Sequence, residues 1–245
     1  MTESVQLKSC CATAYESDFA RLLLGNSFHP GGLALTERLG HLLKLTRADH
    51  VLDVAAGKGE SANFLAKTFG CSVTAVDLNA AEAVIEGDAE RLPFADGSFD
   101  VLICECAFCT FPDKPAAASE FYRVLRPGGR AGLSDLTRSG PLPSDLEGLL
   151  AWIACIADAR PVAEYAAYLQ SAGFKPPAVE PHNEALRQMV RDIEGRLLGA
   201  ELMTKLKKLD LPGADFDQAK SLARAASSAV RAELLGYALL IAEKA

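Results

Sequence analysis

The chain has 245 residues, 49% of them hydrophobic, enough to bury one large core as a single α/β domain with a helical annex. Its 32 acidic against 25 basic residues leave a formal net charge of −7, which argues against a nucleic-acid partner, because phosphate binding is driven by clustered lysine and arginine. No run of about 18 uninterrupted apolar residues predicts a membrane span, and the opening Met1-Thr2-Glu3-Ser4 has neither the basic start nor the apolar stretch of a secretory signal, so a cytoplasmic location is expected.

Residues 1–14 show no periodicity and contain the pair Cys10-Cys11. From Tyr15, the spacing of Phe19, Leu22 and Leu23 predicts a helix ended by Gly25-Asn26; a second helix carries Leu33, Leu35, Leu39, Leu42 and Leu43. Val51-Leu52-Asp53-Val54-Ala55-Ala56-Gly57-Lys58-Gly59-Glu60 then reads as strand, glycine turn and helix start, the first unit of a doubly wound sheet. Gly57 and Gly59 let backbone approach a ligand closely. A helix over residues 61–69 leads to a second strand ending at Asp77, about 20 residues beyond the glycines, where a ribose-binding carboxylate belongs. Cys71 begins that strand, roughly 20 Å from its ligand end, and is expected to be a structural thiol.

Between Asp77 and Asp88 stand only ten residues for a connection and a third strand together. Parallel neighbours usually need a crossover of about a dozen residues, so either an extended link replaces the helix or a segment is missing. The fourth strand, from Val101, alternates so that Cys104 and Cys106 share a side, with Cys104 expected to pack; it runs into a loop containing Cys109. That loop lies beyond the carboxyl end of the strand, where ligands of open α/β sheets bind. A helix through Phe121, Val124 and Leu125 stops at Pro127-Gly128-Gly129, and a fifth strand over residues 131–136 ends at Asp135. Beyond the turn-rich Ser139-Gly140-Pro141-Leu142-Pro143, helices are expected over residues 144–157, 161–172, around Leu186 to Leu197, and within 216–235, with strands at 178–181 and 236–244. No histidine and carboxylate pair stands out as a general base.

Taken in order, the Asp53 glycine turn, Asp77, Gly87-Asp88-Ala89-Glu90, the run Leu92-Pro93-Phe94 to Asp100, and Arg126-Pro127-Gly128-Gly129 resemble the class I methyltransferases that use S-adenosylmethionine. The resemblance covers residues 50–136. It implies a doubly wound, mostly parallel, seven-stranded α/β sheet with an antiparallel last strand and extra C-terminal helices. Residues 1–45 would form a helical lid, 46–140 the cofactor-binding core, 141–235 a cover region with the sixth strand, and 236–245 the last strand. It also implies S-adenosyl-L-methionine as cofactor, with Asp77 at the ribose, Asp88 and Ala89 at the adenine, Leu78 beside them, and Asp53, Ala55, Gly57 and Gly59 toward the methionine end. Ala55 stands where the family pattern usually has its first glycine. A nicotinamide dehydrogenase is the rival, since Gly57, Gly59 and Ala62 also satisfy the dinucleotide spacing; Asp53 inside the strand and the Arg-Pro-Gly-Gly element speak against it.

Glu105-Cys106-Ala107, Phe111-Pro112-Asp113-Lys114, Tyr122-Arg123-Val124-Leu125 and Ser134-Asp135 resemble the middle of the arsenite methyltransferases, as does Trp152-Ile153-Ala154-Cys155-Ile156-Ala157-Asp158 with Gly173-Phe174 after it. That resemblance implies Cys106 and Cys155 as thiolate ligands of trivalent arsenic, with Cys10 or Cys11 as a further one and a thiol reductant as a possible partner. The chemistry agrees: a soft metalloid needs converging cysteines, and attack by its lone pair on a sulfonium methyl needs positioning but no base. Seven cysteines in a chain without secretory features are otherwise reduced core residues. Two alternatives stay open: a methyltransferase acting on oxygen, nitrogen or carbon of a small metabolite, and a cofactor-binding regulatory subunit without turnover. The sequence says nothing of oligomeric state.

Overall fold

Short apolar runs alternating with amphipathic segments give, in chain order, α1 (Gly32–Leu42), β1 (His50–Val54), α2 (Glu60–Phe69), β2 (Ser72–Asp77), β3 (Val84–Glu86), β4 (Phe99–Glu105), α3 (Lys114–Val124), β5 (Leu125–Arg138), α4 (Val162–Ser171), β6 (Ala178–Pro181), α5 (Asn183–Lys205), α6 (Phe216–Arg231) and β7 (Leu235–Glu243). The computed structural model describes residues 22–23, 28–79, 82–146, 155–211 and 215–245. The strands form one seven-stranded sheet in the order β3-β2-β1-β4-β5-β7-β6. The first five pair in parallel, and β7 runs antiparallel to both β5 and β6. This is the doubly wound α/β architecture expected from the sequence.

The central strands β1 and β4 are continuous apolar runs because helices cover both faces of a parallel sheet. Val51, Leu52, Val101, Leu102 and Ile103 are fully buried, and each such side chain contributes about 1.5 to 3 kcal/mol by leaving water. The apolar stripe of α1 settles directly on β5 because Gly132 has no side chain: a Cβ there would lie 2.7 Å from Leu43 Cδ1 and 2.9 Å from Leu39 Cδ1. That seat brings the start of α1 to the carboxyl end of β4. Among the described residues no helix is long and apolar enough to cross a membrane.

Three expectations need correction or completion. Between Asp77 and Val84 the described residues form no helix, yet β3 pairs with β2 through Ala75 with Val84, Val76 with Ile85 and Asp77 with Glu86. No crossover helix is therefore seen among the described residues of this link, which are bends and turns with Ala83 left-handed at φ 65°. The fifth strand is longer than expected: it starts at Leu125, interrupts its pairing with β4 between Phe99 and Val101, and continues to Arg138 because β7 pairs with it from Arg130 to Arg138. Asp135 is consequently inside the strand and does not end it. Of the helix expected around residues 15–23, only Leu22 and Leu23 are described, both helical; of that over 144–157, Ser144–Leu146 form a 3-10 turn. Cys10, Cys11, Tyr15 and Trp152 lie outside the described residues.

Candidate active site

The glycine turn after β1 is a succession of left-handed residues: φ is 58° at Ala55, 56° at Gly57 and 76° at Gly59. Gly59 is the N-cap of α2 and no side chain caps that end, which leaves the helix N-terminus as an anion-accepting end. A Cβ on Gly57 would meet nothing within 4 Å, so the backbone there borders open space. Asp77, at the end of β2, fixes the turn: its Oδ2 accepts from the Gly57 N–H at 2.9 Å and its Oδ1 from the Asn79 N–H at 3.1 Å. Asp88 holds the next turn by accepting from the Glu90 N–H at 3.0 Å, with Ala89 buried beside it and Leu78 half-buried.

Asp53 carries the most informative atom. It is 2% exposed, and its Oδ2 has no hydrogen-bond partner. Burial, and then the Glu105 charge, push its carboxyl well above the ordinary range. An orphaned buried acceptor among further acids is what an ammonium group from a ligand would satisfy. With the open Gly57 backbone and the α2 N-terminus, this fits the amino-acid end of S-adenosylmethionine, whose carboxylate and ammonium call for one donor set and one acceptor.

The cysteines form a second group beyond β4. Strand β4 ends at Glu105, and Cys106 turns the chain with φ 53°, so the alternation that would have put Cys104 and Cys106 on one side is broken. Cys109 lies in the 3-10 turn Phe108–Thr110, fully buried, its N–H donating to Asp135 Oδ2 at 2.8 Å. Cys155, also left-handed at φ 61°, donates its thiol to the Cys106 carbonyl at 3.1 Å. It reaches this place because the chain after it is tied down: Asp158 pairs with Lys114 and Arg160, the Arg138 N–H donates to the Arg160 carbonyl at 3.2 Å, and Tyr165 Oη donates to the Leu136 carbonyl at 3.1 Å. The Cys155 contact, and then burial, raise the Cys106 thiol well above its usual value; burial and then Cys155 do the same to Cys109. Asp135 beneath them is pushed up to about 7 by burial and by Cys155.

Cys71 and Cys104 are buried core residues, Cys71 donating to the Leu65 carbonyl at 3.7 Å, as expected of structural thiols. The structure therefore brings Cys106 and Cys155 together, with Cys109 in the adjoining 3-10 turn.

A pair that the sequence did not reveal lies next to these thiols. Glu105, with its side chain 5% exposed, accepts from Thr36 Oγ1 at 3.0 and 3.2 Å and from Ser61 Oγ at 2.7 Å; His29 Nε2 lies 3.6 Å from its Oε2. His29 is itself 8% exposed. The expectation that no histidine and carboxylate stand together is thus corrected: the seat of α1 on the sheet creates the pair, and linear spacing carries no trace of it.

Residues 52–133 match the family model described as a methyltransferase domain. An arsenite methyltransferase of Halobacterium salinarum is 33% identical over 55% of this chain, and phosphoethanolamine N-methyltransferase 1 of Triticum aestivum is 28% identical over 88% of it. The chain spans only 39% and 45% of those two relatives' lengths. The structure of phosphoethanolamine N-methyltransferase 2 of Haemonchus contortus, in complex with phosphomonomethylethanolamine and S-adenosylhomocysteine, superposes with a TM-score of 0.79 at 18% identity, covering 97% of this chain and 60% of that one. Residues 52–133 thus match a methyltransferase domain, and the fold that carries them is the fold of a solved methyltransferase structure.

Proposed function

We propose that the chain methylates a thiol-bound trivalent metalloid such as arsenite. The observation that carries this reading is the convergence of Cys106 and Cys155 at the carboxyl end of β4, with the Cys155 thiol on the Cys106 carbonyl at 3.1 Å. Asp53, Asp77 and Asp88, with the backbone of Ala55, Gly57 and Gly59 and the neighbouring Leu78 and Ala89, would hold the cofactor. Bound there, S-adenosylmethionine supplies a methyl group that the arsenic lone pair accepts in an in-line displacement, the C–S bonding pair returning to sulfur. Cys106 and Cys155 displace hydroxide from arsenic and orient its lone pair, so catalysis lies in positioning. Arsenic leaves that displacement two electrons more oxidised, and a thiol reductant restores it between rounds. His29 and Thr36 on Glu105 support a role for residues 1–45 as a lid over this mouth.

A second reading has its own observation. The buried His29 and Glu105 pair, 3.6 Å apart, is a candidate proton acceptor for a hydroxyl or ammonium substrate, and the relatives include a phosphoethanolamine N-methyltransferase. Transfer of labelled methyl from S-adenosylmethionine to arsenite, set against a panel of phenols, quinones and small amines, separates the two. Turnover of an amine or phenol with none of arsenite moves the chain to the second reading; cofactor binding without any turnover makes it a regulatory subunit.

A further inference from the structure

The C-terminal half of α5 carries a face that the rest of the described chain leaves open. Gly195, Leu198, Gly199, Leu202, Met203 and the C-cap Leu206 follow at intervals of three and four residues, which places them on one side of the helix. Leu198 is 62% exposed, Leu202 58%, Leu206 55% and Met203 41%, and a Cβ on either glycine would meet nothing within 4 Å. The opposite side packs into the fold: Leu197 and Ala200 are buried, and Lys220 of α6 pairs with Glu201 at 2.9 Å. Two cations border the open face, and both are engaged within the chain, Arg196 donating to the Leu23 carbonyl at 2.8 Å and Lys205 pairing with Glu201 at 2.7 Å. Leucines scattered singly over a surface need no partner; four large apolar side chains on one uncharged face do.

This face is complementary to itself. About a two-fold axis at the level between Ala200 and Glu201, an antiparallel copy of α5 would set Leu206 against Gly195, Leu202 against Gly199 and Leu198 against Met203, so that leucines enter the gaps over the glycines and the two helix axes approach closely. The same register would bring Lys207, just past the helix end, to Glu194, and Asp210 to Arg191. Arg196 and Lys205 would also oppose each other, but their bonds to Leu23 and Glu201 draw them to the flanks. Each of these matches is made twice in a pair of identical helices, which is the mark of an isologous contact.

We propose that two copies of the chain associate through this face, α5 against α5 and antiparallel. The contact is independent of which atom the chain methylates. Charge complementarity selects a second copy over a lipid surface. A lipid surface would meet the acids Asp192 and Glu194 at one end of the face as well as Lys207 and Lys208 at the other, whereas a reversed copy sets each end against its opposite. One helix face falls short of the roughly 1,600 Å² of a standard interface, so the association is expected to depend on concentration.

The test is sedimentation equilibrium of the full chain over a dilution series that reaches about 1 mM. The wild-type chain is expected to approach twice its single-chain mass of 26.0 kDa. Leu202→Glu, which brings charge to the centre of the contact, and Gly199→Leu, which fills the gap, are each expected to hold it at the single mass. Both positions are exposed, and Gly199→Leu also improves helix propensity, so it reports even if Leu202→Glu fails to fold. Glu194→Lys is expected to weaken the association and Glu194→Lys/Lys207→Glu to restore it, which a contact without this register would not do. A wild-type chain of single mass throughout, or a dimer indifferent to both Leu202→Glu and Gly199→Leu, overturns the proposal, and a double variant as weak as Glu194→Lys overturns its register. Where the mass stays single, co-sedimentation with phosphatidylglycerol vesicles that Leu202→Glu abolishes gives the face to a lipid surface instead.

Discussion

Ala55 shows how a single residue records the demands of the site. Its φ of 58° is forced by the turn that carries Gly57 and Gly59 past open space, and a left-handed alanine costs roughly 1 to 2 kcal/mol. Ala55→Gly removes that strain but adds unfolded-state freedom worth about 0.5 to 1 kcal/mol. The net expectation is a gain of up to about 1 kcal/mol in urea denaturation, and a loss of stability would show that the Cβ makes packing contacts outweighing the strain. The cysteines permit a sharper test. Cys106→Ser and Cys155→Ser keep size but lose the soft donor, so each is expected to abolish arsenite methylation while calorimetric affinity for S-adenosylhomocysteine stays within about twofold; Cys71→Ser should retain activity. Equal activity in all three variants would remove the thiols from the mechanism. The strand positions of Asp53 and Asp77 were legible in the sequence from the apolar runs around them, whereas the pairing of Cys106 with Cys155 was suggested only by the resemblance. The meeting of Glu105 with His29 was not legible, since it depends on where α1 lands on the sheet.

At the level of elements, the link between β2 and β3 borders the side of the sheet where Asp88, the proposed adenine contact, stands. Six residues separate Asp77 from Val84, and the short parallel register lets them suffice: β3 need only return to the level of Ala75. The sequence exposed the shortage because strand and acid positions bracket the segment. It hid the extra length of β5, since the pairing strand β7 is supplied by the far end of the chain. With no crossover helix among the described residues of the link, β3 depends on close packing at its end. A Cβ on Gly87 would lie 2.8 Å from both Val76 Cγ2 and Pro93 Cδ. Gly87→Ala is therefore expected to destabilise the chain by about 1 to 3 kcal/mol, the usual penalty of overpacking, and to weaken S-adenosylhomocysteine binding by moving Asp88. A thermal melt with an unchanged midpoint would mean that β3 shifts freely and bears little of the fold.

Across the whole molecule, the topology gathers negative charge at one point. Strands β2, β1 and β4 are neighbours in the sheet, and their carboxyl ends carry Asp77, Asp53 and Glu105, at the place where the strand order reverses and open α/β sheets bind ligands. Burial first, then Glu105 and more weakly Asp77, raise Asp53 well above the ordinary carboxylate range; Cys104 packs nearby and is itself pushed up, chiefly by burial. The folded chain thus holds Asp53 protonated at pH values where the unfolded chain has released the proton. Its contribution to stability is full below the unfolded value and is lost as pH rises through the raised folded one. An ammonium group arriving at the partnerless Oδ2 reverses the preference, favours the carboxylate and expels the proton. Binding of S-adenosylhomocysteine, which carries that ammonium, is therefore expected to tighten as pH rises between the lowered value of the complex and the raised value of the free chain. Calorimetry in two buffers of different ionisation enthalpy should register release of up to about one proton from the wild-type chain and markedly less from Asp53→Asn. Equal proton release from both would assign the proton to another group and take Asp53 out of the ammonium site.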